Sequence, residues 1–80
     1  MKNWQNCNVL IIGAARQGLA LARFLSNRGA AVTINDKKPQ KEFEEAFAVM
    51  KSYSIDWQLG HHNLNTLDGK NLVCVSGGVP

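Results

Sequence analysis

The sequence predicts an α/β domain built on a small parallel sheet, and three observations carry that prediction. The first is Val9-Leu10-Ile11-Ile12, a run of branched apolar residues that suits a strand buried on both faces. The second is Gly13-Ala14-Ala15-Arg16-Gln17-Gly18 directly after it, followed at once by an apolar pattern of helical period. The third is repetition: apolar runs at 30–35 and 71–75 also end in polar or glycine-bearing turns. Strand–helix alternation with right-handed crossovers gives the strand order 3-2-1-4, with helices on both faces of the sheet, a three-layer Rossmann-like arrangement.

The first turn carries the strongest local chemistry. Gly13 lets the chain reverse sharply as it leaves the strand, and Gly18 lets the following helix pack closely on the sheet. Ala15 stands where the dinucleotide fingerprint has its second glycine, so its methyl group restricts close approach of a pyrophosphate. The amides of the first helical turn favour an anion, and Arg16 adds a cation beside them. A turn that serves packing alone is the plainer reading of the same glycines.

The remaining elements follow in order. The first strand spans 8–12, after a lead-in whose Trp4 is expected to pack over the sheet edge. Helix one is expected over 16–28, with Leu19, Ala22 and Leu25 inward, Arg23 and Arg28 late in the helix and Gly29 at its C′ position. Strand two covers 30–35 and delivers Asp36, 18 residues after Gly18. That spacing is close to the one at which a carboxylate meets a nucleoside. Asp36 there accepts hydrogen bonds from a ribose hydroxyl or a base N–H, or it only caps the next turn. Lys37 and Lys38 disfavour a simple 2′-hydroxyl pocket. They suit stacking on a base or meeting a phosphate, or they form a solvated pair.

Helix two is expected over 39–52, with Phe43, Ala46, Phe47 and Met50 as a core stripe. A short strand covers 56–59. His61-His62 in the next turn lacks cysteine or carboxylate partners at ligand spacing, so no metal site is assigned. One helical turn, capped by Asn63, is expected over 63–67. Strand four covers 71–75 and leads into Ser76-Gly77-Gly78-Val79-Pro80, a second glycine-rich tip. The turns after strands one, two and four thus share the carboxyl edge of the sheet, where open parallel sheets bind ligands.

Composition narrows the partners. Eighty residues make one small domain, and a domain of this size buries only about two thirds of its unfolded surface. Nine Lys/Arg against six Asp/Glu give a net charge of +3, without a basic stripe interleaved with aromatics. This favours small anionic ligands over nucleic acid. No apolar run reaches signal-peptide or membrane-spanning form. Cys7 and Cys74 read as reduced cysteines of a cytosolic protein.

Taken together, VLIIGAARQGLALARFLSNRGAAVTINDKK, IDWQLGHHN and DGKNLVCVSGGVP resemble the N-terminal domain of the Mur ligases, over nearly the whole chain. The similarity is greatest to the members that add D-glutamate. It implies a cytoplasmic enzyme of peptidoglycan synthesis that joins D-glutamate to UDP-MurNAc-L-alanine with ATP and Mg2+. In that family this domain binds the uridine diphosphate end of the substrate and not ATP. The resemblance places Gly13, Ala15, Arg16, Gln17 and Gly18 at the diphosphate and Asp36 at uracil. It places Lys37 and Lys38 beside the base, and Ser76, Gly77 and Gly78 in the second tip lining the pocket. The family usually has glycine at the position of Ala15 and often proline at that of Gly77. Its ATP-binding and C-terminal domains are not represented in these eighty residues. The expectation is therefore a substrate-binding fragment, inactive alone, with no catalytic residue and no cofactor of its own. Strand four then presents an open apolar edge, and dimerisation through it is expected. The competing readings are an NAD(P)-binding regulatory or dehydrogenase module, and a purely structural one.

Overall fold

The computed structural model describes residues 4–14, 16–60 and 68–75. The chain runs β1 (Asn8–Ile12), α1 (Arg16–Asn27), β2 (Ala31–Asp36), a 3₁₀ turn (Gln40–Phe43), α2 (Glu44–Val49), β3 (Ile55–Leu59) and β4 (Leu72–Val75). The four strands form one sheet in the order β3-β2-β1-β4, as the crossover rule predicts, and all three pairings are parallel. This is the Rossmann-like α/β architecture expected from the strand–turn–helix repeats.

Alternation along the strands sorts the core. Val9 and Ile11 on β1 and Val32 and Ile34 on β2 face α1 and α2. There they bury against Ala22, Leu25 and Met50. Gly18, Ala22 and Leu25 form the buried stripe of α1, at four- and three-residue spacing. Trp4 packs against the same cluster, as do Ile55, Trp57, Leu72 and Cys74. Both described helices therefore lie on one face of the sheet. Leu10, Thr33 and Asn35, on the opposite face, are also buried. Helices were expected on both faces; among the described residues none covers the opposite face, and the helical turn expected over 63–67 lies outside the described residues.

The end of α1 is a glycine-capped stop. Ala30 N–H donates to Leu25 O at 3.1 Å and Gly29 N–H to Ser26 O at 3.1 Å, the paired bonds of a Schellman motif. Gly29 holds φ +92°, which only glycine adopts without strain. Arg28 thus falls just beyond the helix. Its guanidinium lies over the Phe24 ring, 4.7 Å from the centroid.

The second helical segment departs from the single helix expected over 39–52. Pro39 is extended, no side chain caps either helical piece, and Phe43 (φ −122°, ψ 20°) interrupts the ladder. A 3₁₀ turn and a six-residue helix result, because an uncapped short helix depends on packing and not on its own hydrogen bonds. The stripe itself keeps its role. Met50 is buried, Phe43, Ala46 and Phe47 are half-buried, and Phe47 meets Trp57 of β3 with ring centroids 4.5 Å apart.

Candidate functional site at the carboxyl edge

Register assembles the site. Ile12 pairs with Asn35 and with Val75, and Asp36 pairs with Leu59, so the carboxyl ends of all four strands stand side by side. The residues that follow β1 and β2 are thereby brought together across one sheet edge.

Gly13 leaves β1 with φ +103°, a conformation L side chains rarely adopt, and its N–H donates to Asn35 O at 2.7 Å. Ala14, buried, donates its N–H to Asp36 Oδ2 at 2.9 Å. The other carboxylate oxygen, Oδ1, accepts Lys38 N–H at 2.9 Å, the bond of an Asx turn. Asp36 is also the backbone anchor for the end of β3. Gly60 N–H lies 2.9 Å from Asp36 O and 2.9 Å from Lys38 O, shared between them. The turn-capping role open to Asp36 in the sequence is therefore present, and the same carboxylate also reaches the glycine turn.

At this edge the exposed Arg16, Lys37 and Lys38 stand around the Asp36 carboxylate, while Glu42 and Glu45 line the depression that runs from Arg16 between the two helices. Arg16 and Gln17 open α1 and are exposed, and its first turn holds no acidic residue. The first-turn amides have no partner within the helix, and the helix dipole is positive there. Lys37 and Lys38 are exposed at the neighbouring tip. Such an edge favours a phosphate group beside a hydrogen-bonding nucleoside. A depression of about 480 Å³ runs between α1 and α2 from Ala14 and Arg16 past Leu19, Phe43 and Met50. A wider one, about 710 Å³, lies at the opposite edge of the sheet, near Asn8, Ala31 and Lys70. Neither is lined by Asp36.

Similarity to known proteins agrees with this geometry. Residues 7–80 match the family model described as the Mur ligase MurD-like N-terminal domain. The chain belongs to this family. The UDP-N-acetylmuramoylalanine–D-glutamate ligase of Geotalea daltonii is 39% identical over 72 residues, 90% of this chain and 16% of that protein. The ligase of the same name from Geotalea uraniireducens is 40% identical over 75 residues, 94% of this chain and 17% of that protein. That of Halalkalibacterium halodurans is 39% identical over 72 residues. The chain thus spans about one sixth of the length of the curated relatives it matches.

Within this MurD-like domain the structure brings Gly13, Arg16, Gln17 and Gly18 together with Asp36, Lys37 and Lys38 at one edge. Ala15, the Ser76, Gly77 and Gly78 tip, the His61-His62 pair and the expected turn over 63–67 lie outside the described residues. Two contributors escaped sequence reasoning. Asn35 is 2% exposed and donates from Nδ2 to Gln58 O at 2.8 Å, binding the ends of β2 and β3. Gly60 closes the tip of β3 onto Asp36 with φ +88°. A polar residue ending an apolar strand was the signal for Asn35. Gly60 had none beyond being a glycine after a strand.

Proposed function

We propose that this MurD-like domain binds the uridine diphosphate end of UDP-MurNAc-L-alanine. It does so as part of a cytoplasmic, ATP- and Mg2+-dependent ligase that attaches D-glutamate to that substrate. The observation that carries the reading is the family match, joined to a cationic helix start beside a carboxylate at the sheet edge. In this reading the diphosphate lies on the amides opening α1, with Arg16 and Gln17 against its oxygens. Each Asp36 oxygen has one lone pair beyond its backbone bond, enough to accept a uracil N–H. Lys37 and Lys38 lie over the base, and Ser76, Gly77 and Gly78 complete the pocket from the second tip. The domain positions one substrate and holds no catalytic group. ATP and Mg2+ belong to the parts of the ligase beyond these eighty residues.

An NMR titration with UDP-MurNAc-L-alanine, run in parallel with NADH, tests the reading. Amide shifts at Arg16, Gln17 and Asp36 with the UDP-sugar alone are expected. Shifts with NADH alone would overturn it in favour of a dinucleotide-binding module, and silence with both would leave a packing role for the glycines.

A further inference from the structure

Asp36 is the point at which three strand ends meet. Its Oδ2 accepts the amide of Ala14 in the glycine turn, its Oδ1 accepts the amide of Lys38, and its carbonyl accepts that of Gly60 at the end of β3. The preceding residue repeats the pattern, because Asn35 O accepts Gly13 N–H. Two successive amides of the glycine turn are therefore tied back to β2. Both Gly13 and Ala14 are buried, so those N–H groups need partners inside the protein, and an unpaired one carries a full desolvation penalty. The Ala14 bond is the costlier to lose, since its acceptor is a charged oxygen.

We infer that Asp36 is a positioning residue for the anion-binding turn: its carboxylate fixes the turn before β1 hands the chain to α1. The residue acts on the diphosphate through Ala14, in addition to any contact with a base. This deepens the uridine diphosphate reading and rests on it. It also separates two effects that a contact with the base alone would not couple. If Asp36 only met the base, its loss would leave binding of a base-free diphosphate unchanged. If it sets the turn, both kinds of ligand suffer together.

The test compares the 80-residue chain with D36N and D36A. Asparagine keeps one acceptor oxygen and turns the other into a donor that opposes an amide N–H, and alanine removes both acceptors. In the ligand-free proteins, amide exchange at Ala14 and Lys38 is followed by NMR, with Leu25 and Ile34 as reporters of the intact core. The expected result in D36A is exchange faster by roughly tenfold or more at both amides, the scale of one charge-assisted bond, with the core amides unchanged. In D36N one of the two amides accelerates. UDP and inorganic pyrophosphate are then titrated into each protein. Pyrophosphate binding is expected to weaken by roughly tenfold, and UDP binding by at least as much, because UDP also loses the contact with its base. Unchanged exchange at Ala14 in both variants overturns the inference. So does a loss confined to UDP with pyrophosphate binding intact. If the unsubstituted chain binds neither ligand, the uridine diphosphate reading fails by itself. The inference then fails with it as a statement about binding, and the exchange data report whether Asp36 still orders the turn. Should both variants lose the core protection of Leu25, D36E tests the same bond with the charge retained, and failure of D36E to restore Ala14 protection counts against the inference.

Discussion

Single residues in this domain divide into those that hold backbone and those that offer chemistry. Gly29 holds backbone: at φ +92°, an added Cβ would also stand 3.3 Å from Gln5 Cα. Gly29→Ala is expected to destabilise the chain by roughly 1–3 kcal/mol, read as a lower urea midpoint, while leaving UDP binding unchanged because the residue is at the far end of α1. Gly13, with φ +103°, combines both roles, so Gly13→Ala should lower stability and ligand affinity together. Arg16 offers chemistry. It is exposed, so its removal costs the fold little. Arg16→Ala should weaken UDP binding by roughly tenfold, the scale of one bond to a charged group, and the loss should shrink as salt is raised. Calorimetric titrations at two salt concentrations check this, and a salt-independent loss would count against a direct ion contact.

At the scale of elements, α1 is the part on which site and core both depend. Its buried stripe of Gly18, Ala22 and Leu25 seats it on β1 and β2, and its first turn then lies at the carboxyl edge. Leu25 is 1% exposed, and Leu25→Ala should cost about 2–5 kcal/mol by the lost transfer energy and the cavity left behind. For a domain this small that is a large share of the total stability, and thermal unfolding should show either a steep fall in midpoint or no cooperative transition. The second helical segment was less legible. Its apolar stripe at 43, 46, 47 and 50 was readable from spacing, and it does face the core. Its length was not, because the break at Phe43 depends on how that ring and Phe47 settle against the sheet and Trp57. The Schellman stop after Asn27 was readable from Gly29 alone, since a helix C-terminus needs a residue that tolerates positive φ.

For the molecule as a whole, the edges of the sheet govern association. β4 ends the described sheet on one side, and Val73 and Val75 are 43% and 63% exposed. Among the described residues no strand pairs with the outer side of β4, and such an edge is a template for another strand. Self-association of the 80-residue chain is therefore expected at millimolar concentration. Val73→Lys should reduce it, since charge on an edge strand opposes pairing. Sedimentation velocity across a concentration series decides the matter, and a constant monomer up to millimolar concentration would refute it.

The sequence by itself determined the class of fold, the strand order and the candidate edge. Local signals suffice for these: continuous apolar runs mark buried strands, helical spacing marks the inward face, and crossover handedness leaves few topologies. The family was legible for the same reason, through motifs in fixed order. The turn-capping bond of Asp36 to Lys38 N–H was open to sequence reasoning, but its tie to the glycine turn and to the end of β3 was decided only by tertiary structure. Its position was evident from spacing, yet its distant partners lie 22 residues earlier in the chain at Ala14 and, for its carbonyl, at Gly60. Parallel pairing of β1, β2 and β3 brings these amides within bonding distance, and no local pattern encodes a hydrogen bond between strand ends that the chain reaches by separate crossovers.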